Sequence, residues 1–282
     1  MRAGPYDSPY SPARNTAKGL RVMGLLDGKV GLIVGIANER SYAWHIANAM
    51  HEQGAKLAYA HLPGDKNARR TGKAAEKIQE NPWLFPCDAA SDESLDELFA
   101  AYAKDHDRLD FLVHSIAYAD REWLQPGMFA KTPRKAYLDA IDISAYTLSA
   151  MAGRAQEQMA KNGGGSIMAM SYYGAEKVVP GYNIMGVAKA CLESTARYLA
   201  FELGEHNIRV NTISGGFLRT LASSAVGGTD QMDEAARMKA PLRRGVEGAD
   251  VGKTAVYLAS DLASGVTGEN IYVDCGINTL GV

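Results

Sequence analysis

Short apolar runs alternate with longer amphipathic stretches along the chain from Lys29 to the C-terminus. The runs are rich in Val, Ile, Leu and Ala and are bounded by polar residues or glycine, which is typical of buried strands in a parallel sheet. They predict seven strands: Val30–Val34, Lys56–Ala60, Trp83–Pro86, Phe111–His114, Ser166–Met170, Arg209–Ile213 and Ile271–Val273.

The amphipathic stretches between these runs have helical spacing. They predict helices at about 42–53, 67–80, 92–104, 132–161, 183–204 and 248–259. Regular alternation of strand and helix indicates a parallel sheet with helices on both faces, joined by right-handed crossovers. We therefore predict an α/β fold of one domain, a doubly wound Rossmann fold with a seven-stranded parallel sheet.

Two segments depart from this rhythm. Residues 1–22 are rich in Pro, Gly, Ser and Arg and have no hydrophobic period, so they predict a flexible N-terminal extension that precedes a domain at 23–282. Met23 directly precedes the compact part and is a possible initiator. Residues 215–245 contain five glycines and a proline around short helical pieces, which predicts a mobile lid.

Composition and charge exclude several classes of protein. The chain has 282 residues, 46% of them hydrophobic and 22% charged, which is enough for one large core. A net charge of −2 gives no reason to expect nucleic-acid binding. No apolar run approaches the ~18 residues of a membrane span, and we expect a cytoplasmic protein. Three widely spaced cysteines form neither a disulfide framework nor a metal-binding pair, so we expect no metal.

The most informative polar residues are Tyr182 and Lys189, seven residues apart, with Tyr172 ten residues before the first. On one helix this spacing is about 700° and roughly 10 Å along the axis, so both side chains would leave the same face. The hydroxyl and the ammonium would then meet over a third group, such as a cofactor ribose. A nearby ammonium also favours the ionised phenol. A half-buried tyrosine and an exposed lysine on an amphipathic helix remain the alternative.

The segment after the first predicted strand suits a phosphate group. Gly35 allows a turn without a Cβ, Ser41 can cap the next helix or bond a phosphate, and Ala43 is small enough for close approach. Only one glycine of the G-x-G-x-x-G pattern is present, however, so a plain strand–helix turn stays possible.

The second strand leaves the choice of nucleotide open. Dinucleotide sites commonly carry an acidic residue here that binds the adenosine ribose. In this chain His61 and Leu62 stand at that position, and Asp65 follows only later. Arg69 and Arg70 could meet a 2′-phosphate or could form a solvated face, so NADH and NADPH are both candidates.

The third and fourth strands are also followed by residues that suit a nucleotide. Asp88 and Ala89 would lie near an adenine amino group, although Asp88 could instead cap the helix at 92–104. Residues 114–117 would run beneath the adenosine ribose and the diphosphate, or their small side chains could serve only tight packing.

Together these segments resemble the short-chain dehydrogenase/reductase superfamily. More narrowly, they resemble the bacterial NADH-dependent enoyl-acyl-carrier-protein reductases of type II fatty acid synthesis. The resemblance covers M-G-L-L-x-G-K from 23, C-D-A at 87–89, H-S-I at 114–116, S-Y-Y-G-A-E-K-x-V-P-G-Y-N-I-M-G-x-A-K at 171–189, R-V-N-x-I-S-x-G at 209–216 and G-E-N-I-Y-V-D-C-G at 268–276. Other members of the superfamily have Y-x3-K, whereas Met185 stands at that tyrosine position here.

The resemblance implies an enzyme that reduces the trans-2 double bond of enoyl thioesters with NADH, NADPH not being excluded. Tyr182 would donate a hydrogen bond to the thioester oxygen, Lys189 would hold the nicotinamide ribose, and Tyr172 would line the pocket. The implied cofactor-binding residues are Gly35, Ser41, Tyr42, Ala43, Leu62, Asp88, Ala89, Ser115, Ile116, Ala117, Lys189, Gly216, Leu218 and Thr220. The implied substrate-binding residues are Ala117, Tyr172, Tyr182, Met185 and Leu221.

Further expectations follow from the same resemblance. Ile213 would border the nicotinamide, and Leu221–Val226 would cover the acyl chain. Ala117 stands where many relatives have Gly, which implies reduced triclosan sensitivity. The protein would be a homotetramer, with helices 92–104 and 132–161 and the last strand at the subunit contacts.

The implied partner is acyl carrier protein, which is acidic, so basic residues should surround the mouth of the pocket. The candidates in or beside the lid are Lys177, Arg219, Arg237, Lys239, Arg243 and Arg244. Solvated charges, or pairs with Asp233 or Glu234, are the alternative.

Two rival functions can be stated. A carbonyl-reducing member of the superfamily would need a tyrosine in place of Met185. A catalytically idle dinucleotide-binding sensor would usually have lost Tyr182 or Lys189, and both are present. The preferred acyl chain length cannot be read from these residues.

Overall fold

Seven parallel strands form one sheet in the order β3-β2-β1-β4-β5-β6-β7. The computed structural model describes residues 23–218 and 238–281. The strands are β1 Val30–Val34, β2 Lys56–His61, β3 Trp83–Pro86, β4 Phe111–His114, β5 Gly165–Ser171, β6 Ile208–Gly215 and β7 Asn270–Val273. The prediction of a seven-stranded, doubly wound parallel sheet is confirmed.

In the described part of the chain, seven α-helices connect or follow the strands. They are α1 Tyr42–Glu52, α2 Asp65–Ala75, α3 Asp92–Asp105, α4 Arg134–Ile141, α5 Thr147–Lys161, α6 Ile184–Leu203 and α7 Gly248–Ala259. None of the helices in the described part of the chain is long and apolar enough to cross a membrane.

Two predicted helices differ from the structure. The helix expected at 67–80 ends at Ala75, and the chain then turns through Asn81, whose φ is +49°. The helix expected at 132–161 is interrupted by a π-helical segment, Asp142–Tyr146, which separates α4 from α5. A π-helical insertion adds a residue to one turn and re-aims the side chains around it, and helical periodicity does not reveal it.

Buried apolar side chains cover both faces of the sheet. Because neighbouring strand residues point to opposite faces, Leu32 and Ile33 of β1 belong to two different cores. Ile33 packs with α1, α2 and α7, and Leu32 packs with α3, α5 and α6. The helices therefore lie on both faces, as predicted.

Successive strands are added on one side of β1 as far as β3 and on its other side from β4 onward, so β1 lies between β2 and β4. In a doubly wound sheet a crevice opens at this point, beyond the carboxyl ends of the strands, and ligands bind there. The predicted lid begins at this edge: Gly215 is the last residue of β6, and residues 219–237 lie outside the described part.

Candidate active site

The crevice begins where β1 and β4 end side by side. Gly35 has a φ of +108°, and a Cβ placed on it would lie 2.1 Å from the carbonyl oxygen of Ser115. The Ser115 amide donates to the Val34 carbonyl at 2.9 Å. Only glycine therefore fits this turn, which supports a backbone approach close enough for a diphosphate.

The N-terminus of α1 faces the same crevice. The Ser41 hydroxyl accepts a hydrogen bond from the Trp44 amide at 3.3 Å and donates to the Asn38 carbonyl at 2.7 Å, so Ser41 is the N-cap. The first turn of a helix leaves N–H groups, here those of Tyr42 and Ala43, without helical acceptors and carries partial positive charge. These groups fit the diphosphate of a dinucleotide.

Tyr42 also ties α1 to the end of β6. Its hydroxyl donates to the Gly216 carbonyl at 2.5 Å. Burial is the largest cause of a raised pKa for Tyr42, followed by the nearby Asp250, so this hydroxyl is neutral and acts as a donor. The bond fixes the chain at Gly216 against the N-terminus of α1.

The residues expected near the adenosine are largely open to solvent. Leu62 is 59% exposed, and Asp88 and Ala117 are exposed as well, whereas Ala89 is partly buried. The alternative role of Asp88 as a helix cap is wrong, because Ser91 caps α3 by accepting from the Ser94 amide at 3.1 Å. The Asp88 carboxylate instead accepts from the Ala90 amide at 3.0 Å.

Lys189 lies in α6 and points inward. Its side chain is 5% exposed, and its Nζ donates to the carbonyl oxygen of Met170, at the end of β5, at 2.7 Å. Burial lowers the pKa of Lys189 to about 8, while the carboxylate of Glu193 raises it. At neutral pH the ammonium is therefore still largely protonated.

Tyr182 does not lie on the helix that carries Lys189, so the helical geometry predicted for this pair is wrong. Helix α6 begins at Ile184, and the preceding Asn183 has a φ of +44°. The Asn183 side-chain amide donates to the carbonyls of Trp123 and Gln125, both at 2.7 Å. These bonds stabilise the positive-φ turn at Asn183, which separates Tyr182 from the first residue of α6.

The two candidate tyrosines meet edge to face. The rings of Tyr172 and Tyr182 have centroids 4.9 Å apart and an interplanar angle of 70°. A Cβ on Gly174 would come within 2.6 Å of the Tyr182 ring, so glycine is needed to seat it. The packing restricts the Tyr182 ring to one orientation.

The Tyr182 phenol is neutral, contrary to the expectation that an ammonium would favour its ionised form. Burial is the largest cause of a raised pKa for Tyr182, and the charge of Glu193 adds to it. Burial likewise raises the pKa of Tyr172, with a smaller effect from Tyr173. Desolvation is the dominant cause at both phenols, so both hydroxyls carry their protons at neutral pH.

Glu193 is a member of this site that the sequence reasoning missed. Its Oε1 accepts from the Ser171 hydroxyl at 2.5 Å and from the Asn270 side-chain amide at 3.2 Å. An acid four residues after Lys189 on one helix was a signal that could have found it.

Ser144, in the π-helical segment, was also missed. Its hydroxyl accepts from the Tyr118 amide at 2.9 Å and donates to the Tyr118 carbonyl at 3.1 Å. This pair of bonds holds the loop that follows Ile116 and Ala117.

Met185, an expected substrate contact, is 5% exposed and lies in a small apolar cluster with Leu124.

Some of the remaining residues expected to bind cofactor or substrate lie in the described part of the chain, and the others lie outside it. Ile213 is fully buried in the core, and Leu218 is partly buried beyond the end of β6. Thr220, Leu221 and the rest of the expected acyl cover, Leu221–Val226, lie outside the described residues.

Of the described basic residues near the predicted lid, some are bonded to other residues and some are exposed to solvent. Arg244 forms an ion pair with Asp250 at 2.6 Å. Arg243 donates to the Met238 carbonyl at 2.9 Å, and Lys177 and Lys239 are exposed. The other residues considered for this rim lie outside the described part: Arg219, Asp233, Glu234 and Arg237.

The chain is similar to known proteins over most of its length. A family model described as enoyl-(acyl carrier protein) reductase matches residues 35–278. An enoyl-(acyl-carrier-protein) reductase (NADH) from Nostoc sp. is 47% identical over 263 residues, 91% of this chain and 99% of that protein. An NADPH enzyme of the same description from Staphylococcus aureus is 44% identical over 256 residues, 90% of this chain and 98% of that protein.

Solved structures give the same result. The enoyl-(acyl-carrier-protein) reductase from Anaplasma phagocytophilum, crystallised in complex with NAD, superposes with a TM-score of 0.87 at 42% identity. The match covers 94% of this chain and 99% of that one.

Proposed function

The chain belongs to the enoyl-(acyl carrier protein) reductase family, and from this membership we propose how its residues carry out the reaction. It is an enzyme that reduces the trans-2 carbon–carbon double bond of enoyl thioesters in fatty acid elongation. The relatives named NADH and NADPH enzymes make a nicotinamide dinucleotide the hydride donor.

The dinucleotide supplies the hydride that adds to the β-carbon of the enoyl thioester. Gly35 and the first turn of α1 hold its diphosphate, because the backbone there can approach closely and offers N–H donors. Ser115 and Ala117 pass beneath it, and Asp88 meets the adenine. Lys189 holds the nicotinamide ribose through its buried ammonium.

Tyr182 acts on the substrate. Addition of hydride at the β-carbon would move negative charge onto the thioester oxygen, which is separated from the β-carbon by the α-carbon and the carbonyl carbon. A neutral phenol whose ring is fixed by packing is a preorganised donor for this developing enolate. Tyr172 lines the pocket beside it and restricts the ring.

The observation that carries the proposal is this neutral Tyr182 packed on Tyr172, together with a buried Lys189 bonded to the end of β5. A carbonyl reductase of the same superfamily would use a tyrosine at the position of Met185, which is buried in an apolar cluster. The hydroxyl of Ser171 is bonded to Glu193 and is not free to act as a catalytic serine. Both features favour enoyl reduction over carbonyl reduction.

The test follows the absorbance of NADH, and in a separate assay that of NADPH, after addition of the enoyl substrate crotonyl-CoA. The ketoacyl substrate acetoacetyl-CoA, which has the same chain length, is the control. We expect rapid oxidation with the enoyl substrate and none with the ketoacyl substrate. Oxidation only with acetoacetyl-CoA would contradict the assignment of Tyr182. Tight nucleotide binding without turnover of either substrate would favour the idle sensor.

We also propose that the enzyme is a homotetramer that accepts its substrate from acyl carrier protein. Two large apolar side chains on α6, Tyr198 and Phe201, are 77% and 90% exposed, and exposed apolar patches of this kind mark subunit contacts. Light scattering should give four times the chain mass, and Phe201→Glu should give smaller species. A wild-type monomer would contradict the proposal.

Exposed Lys239 supports the carrier contact, whereas Arg244 is already paired. Lys239→Glu should raise KM for an enoyl-carrier substrate and leave KM for crotonyl-CoA unchanged. An equal KM for the carrier substrate in both proteins would argue against this contact.

A further inference from the structure

A buried acid lies one helical turn after Lys189. Glu193 is 6% exposed and stands four residues beyond Lys189 in α6, so both side chains leave the same face of the helix. Acidic side chains are rarely buried unless they are hydrogen-bonded and paired. A carboxylate in this position therefore calls for a specific role.

Two donors converge on one oxygen of this carboxylate. The Ser171 hydroxyl donates to Oε1 at 2.5 Å, and the Asn270 side-chain amide donates to the same atom at 3.2 Å. Asn270 is itself oriented, because its Oδ1 accepts from the Thr212 hydroxyl at 2.9 Å. The carboxylate thus links α6 to the end of β5 and, through Asn270, to the start of β7 and the middle of β6.

Ser171 transmits this link to the catalytic side chains. It is the last residue of β5 and stands between two residues that contact the proposed machinery. On one side is Met170, whose carbonyl accepts from Lys189 Nζ at 2.7 Å. On the other is Tyr172, whose ring packs on Tyr182. The Glu193–Ser171 bond therefore holds the backbone that orients both groups.

We propose that Glu193 is a positioning residue for the reduction, which holds the end of β5 through Ser171 and holds Lys189 in place by its negative charge. The proposal rests on the proposed function, since it assigns Glu193 a role in that reaction. Glu193 touches neither substrate nor cofactor in this role and acts only through Ser171 and Lys189.

The charges around the carboxylate come from every element packed on it. Lys189 and Arg197 lie on α6, Glu176 follows β5, Tyr182 precedes α6, and Tyr272 lies on β7. Burial raises the pKa of Glu193, whereas the Ser171 bond and the two cations lower it. Because Glu193 raises the pKa of Lys189, its neutralisation should lower that pKa further.

The decisive variant is Glu193→Gln, which keeps the size of the side chain and an oxygen for Ser171 and removes the charge. Glu202→Gln is the matched control, since it makes the same change on the exposed face of the same helix. With crotonyl-CoA and NADH, we expect Glu193→Gln to lower kcat about ten- to a hundredfold, as loss of a charged hydrogen bond does. KM for crotonyl-CoA should change less than about twofold, because substrate contacts stay.

The pH profile gives a second readout that a purely structural role would not move. The alkaline limb of kcat/KM should lie near pH 8 in the wild type, where Lys189 loses its proton. In Glu193→Gln it should move to lower pH, the direction set by removal of the negative neighbour. Glu202→Gln should keep the wild-type limb.

The outcomes separate the inference from the proposed function. Absent wild-type turnover of crotonyl-CoA would overturn the function itself. A normal wild type together with a Glu193→Gln variant that matches Glu202→Gln in kcat and in pH profile would overturn the role of Glu193 alone. If Glu193→Gln does not fold, Ser171→Ala decides. It keeps the carboxylate and breaks the link, and a wild-type kcat in that variant would contradict the proposal.

Discussion

Replacement of Gly35 by alanine tests the close approach of β1 and β4 on which the nucleotide site depends. The added Cβ would lie 2.1 Å from the Ser115 carbonyl oxygen, where ordinary contact begins at 3.4 Å. The two chain segments would have to separate by about 1.3 Å, the difference between these distances. Alanine would also be held at a φ of +108°.

Gly28 is the matched control, because it has a φ of +77° and a Cβ there would meet nothing within 4 Å. Gly28→Ala should therefore show only the backbone strain, a loss of about 1–2 kcal/mol in unfolding free energy. Gly35→Ala should lose about 1–3 kcal/mol more, the usual cost of overpacking. It should also weaken NADH binding, because the separation disturbs the turn at Gly35 that is proposed to approach the diphosphate.

Urea denaturation of the three proteins gives the stability difference, and NADH fluorescence titration gives the dissociation constant. We expect Gly28→Ala to bind NADH as the wild type does, and Gly35→Ala to bind it at least tenfold more weakly, a change of about 1.4 kcal/mol. If Gly35→Ala equals Gly28→Ala in both stability and affinity, the close approach has no energetic consequence and the reasoning is refuted.

Three further changes have defined outcomes. Burial lowers the pKa of His114 to about 3 in the folded protein. The imidazole of the unfolded chain titrates near 6.5, so the free energy of unfolding falls as the pH is lowered from 6.5 to 3. The loss is up to about 1.4 kcal/mol for each pH unit. His114→Gln should remove this part of the slope in denaturation measured across that range, and equal slopes would contradict it. Ser144→Ala leaves the amide and carbonyl of Tyr118 without their partner, so urea denaturation should show a loss of about 1–3 kcal/mol, and an unchanged midpoint would speak against the clamp. Ala117→Gly removes a methyl group at the expected inhibitor pocket and should lower the inhibition constant of triclosan, and an unchanged constant would refute the expectation that this methyl group weakens the inhibitor.

Most of the fold followed from short-range patterns. Both ends of each of the seven strands were predicted to within two residues, because each strand is a run of apolar residues with polar or glycine boundaries. The helices were located for the same reason. The ends of the helices were predicted less well. The end of α2 depends on the turn at Asn81, and the break before α5 depends on a π-helical segment.

The site was only partly predictable, because its geometry depends on contacts between distant residues. The spacing of Tyr182 and Lys189 suggested one helix, but Asn183 breaks it by bonding to carbonyls about sixty residues earlier in the chain. Burial of the phenol decides its protonation, and burial is a property of the whole fold. The partners of Glu193 come from β5 and β7, which no local pattern connects.

The most direct test of the account compares Tyr182→Phe with Tyr172→Phe under saturating NADH and crotonyl-CoA. Both changes remove one hydroxyl from the same pair of packed rings, so they differ only in which oxygen is lost. We expect kcat to fall about a hundredfold or more in Tyr182→Phe, as on removal of an oxyanion donor, and by less than about tenfold in Tyr172→Phe. A kcat for Tyr182→Phe close to the wild-type value would contradict the assignment of Tyr182 as the donor to the enolate.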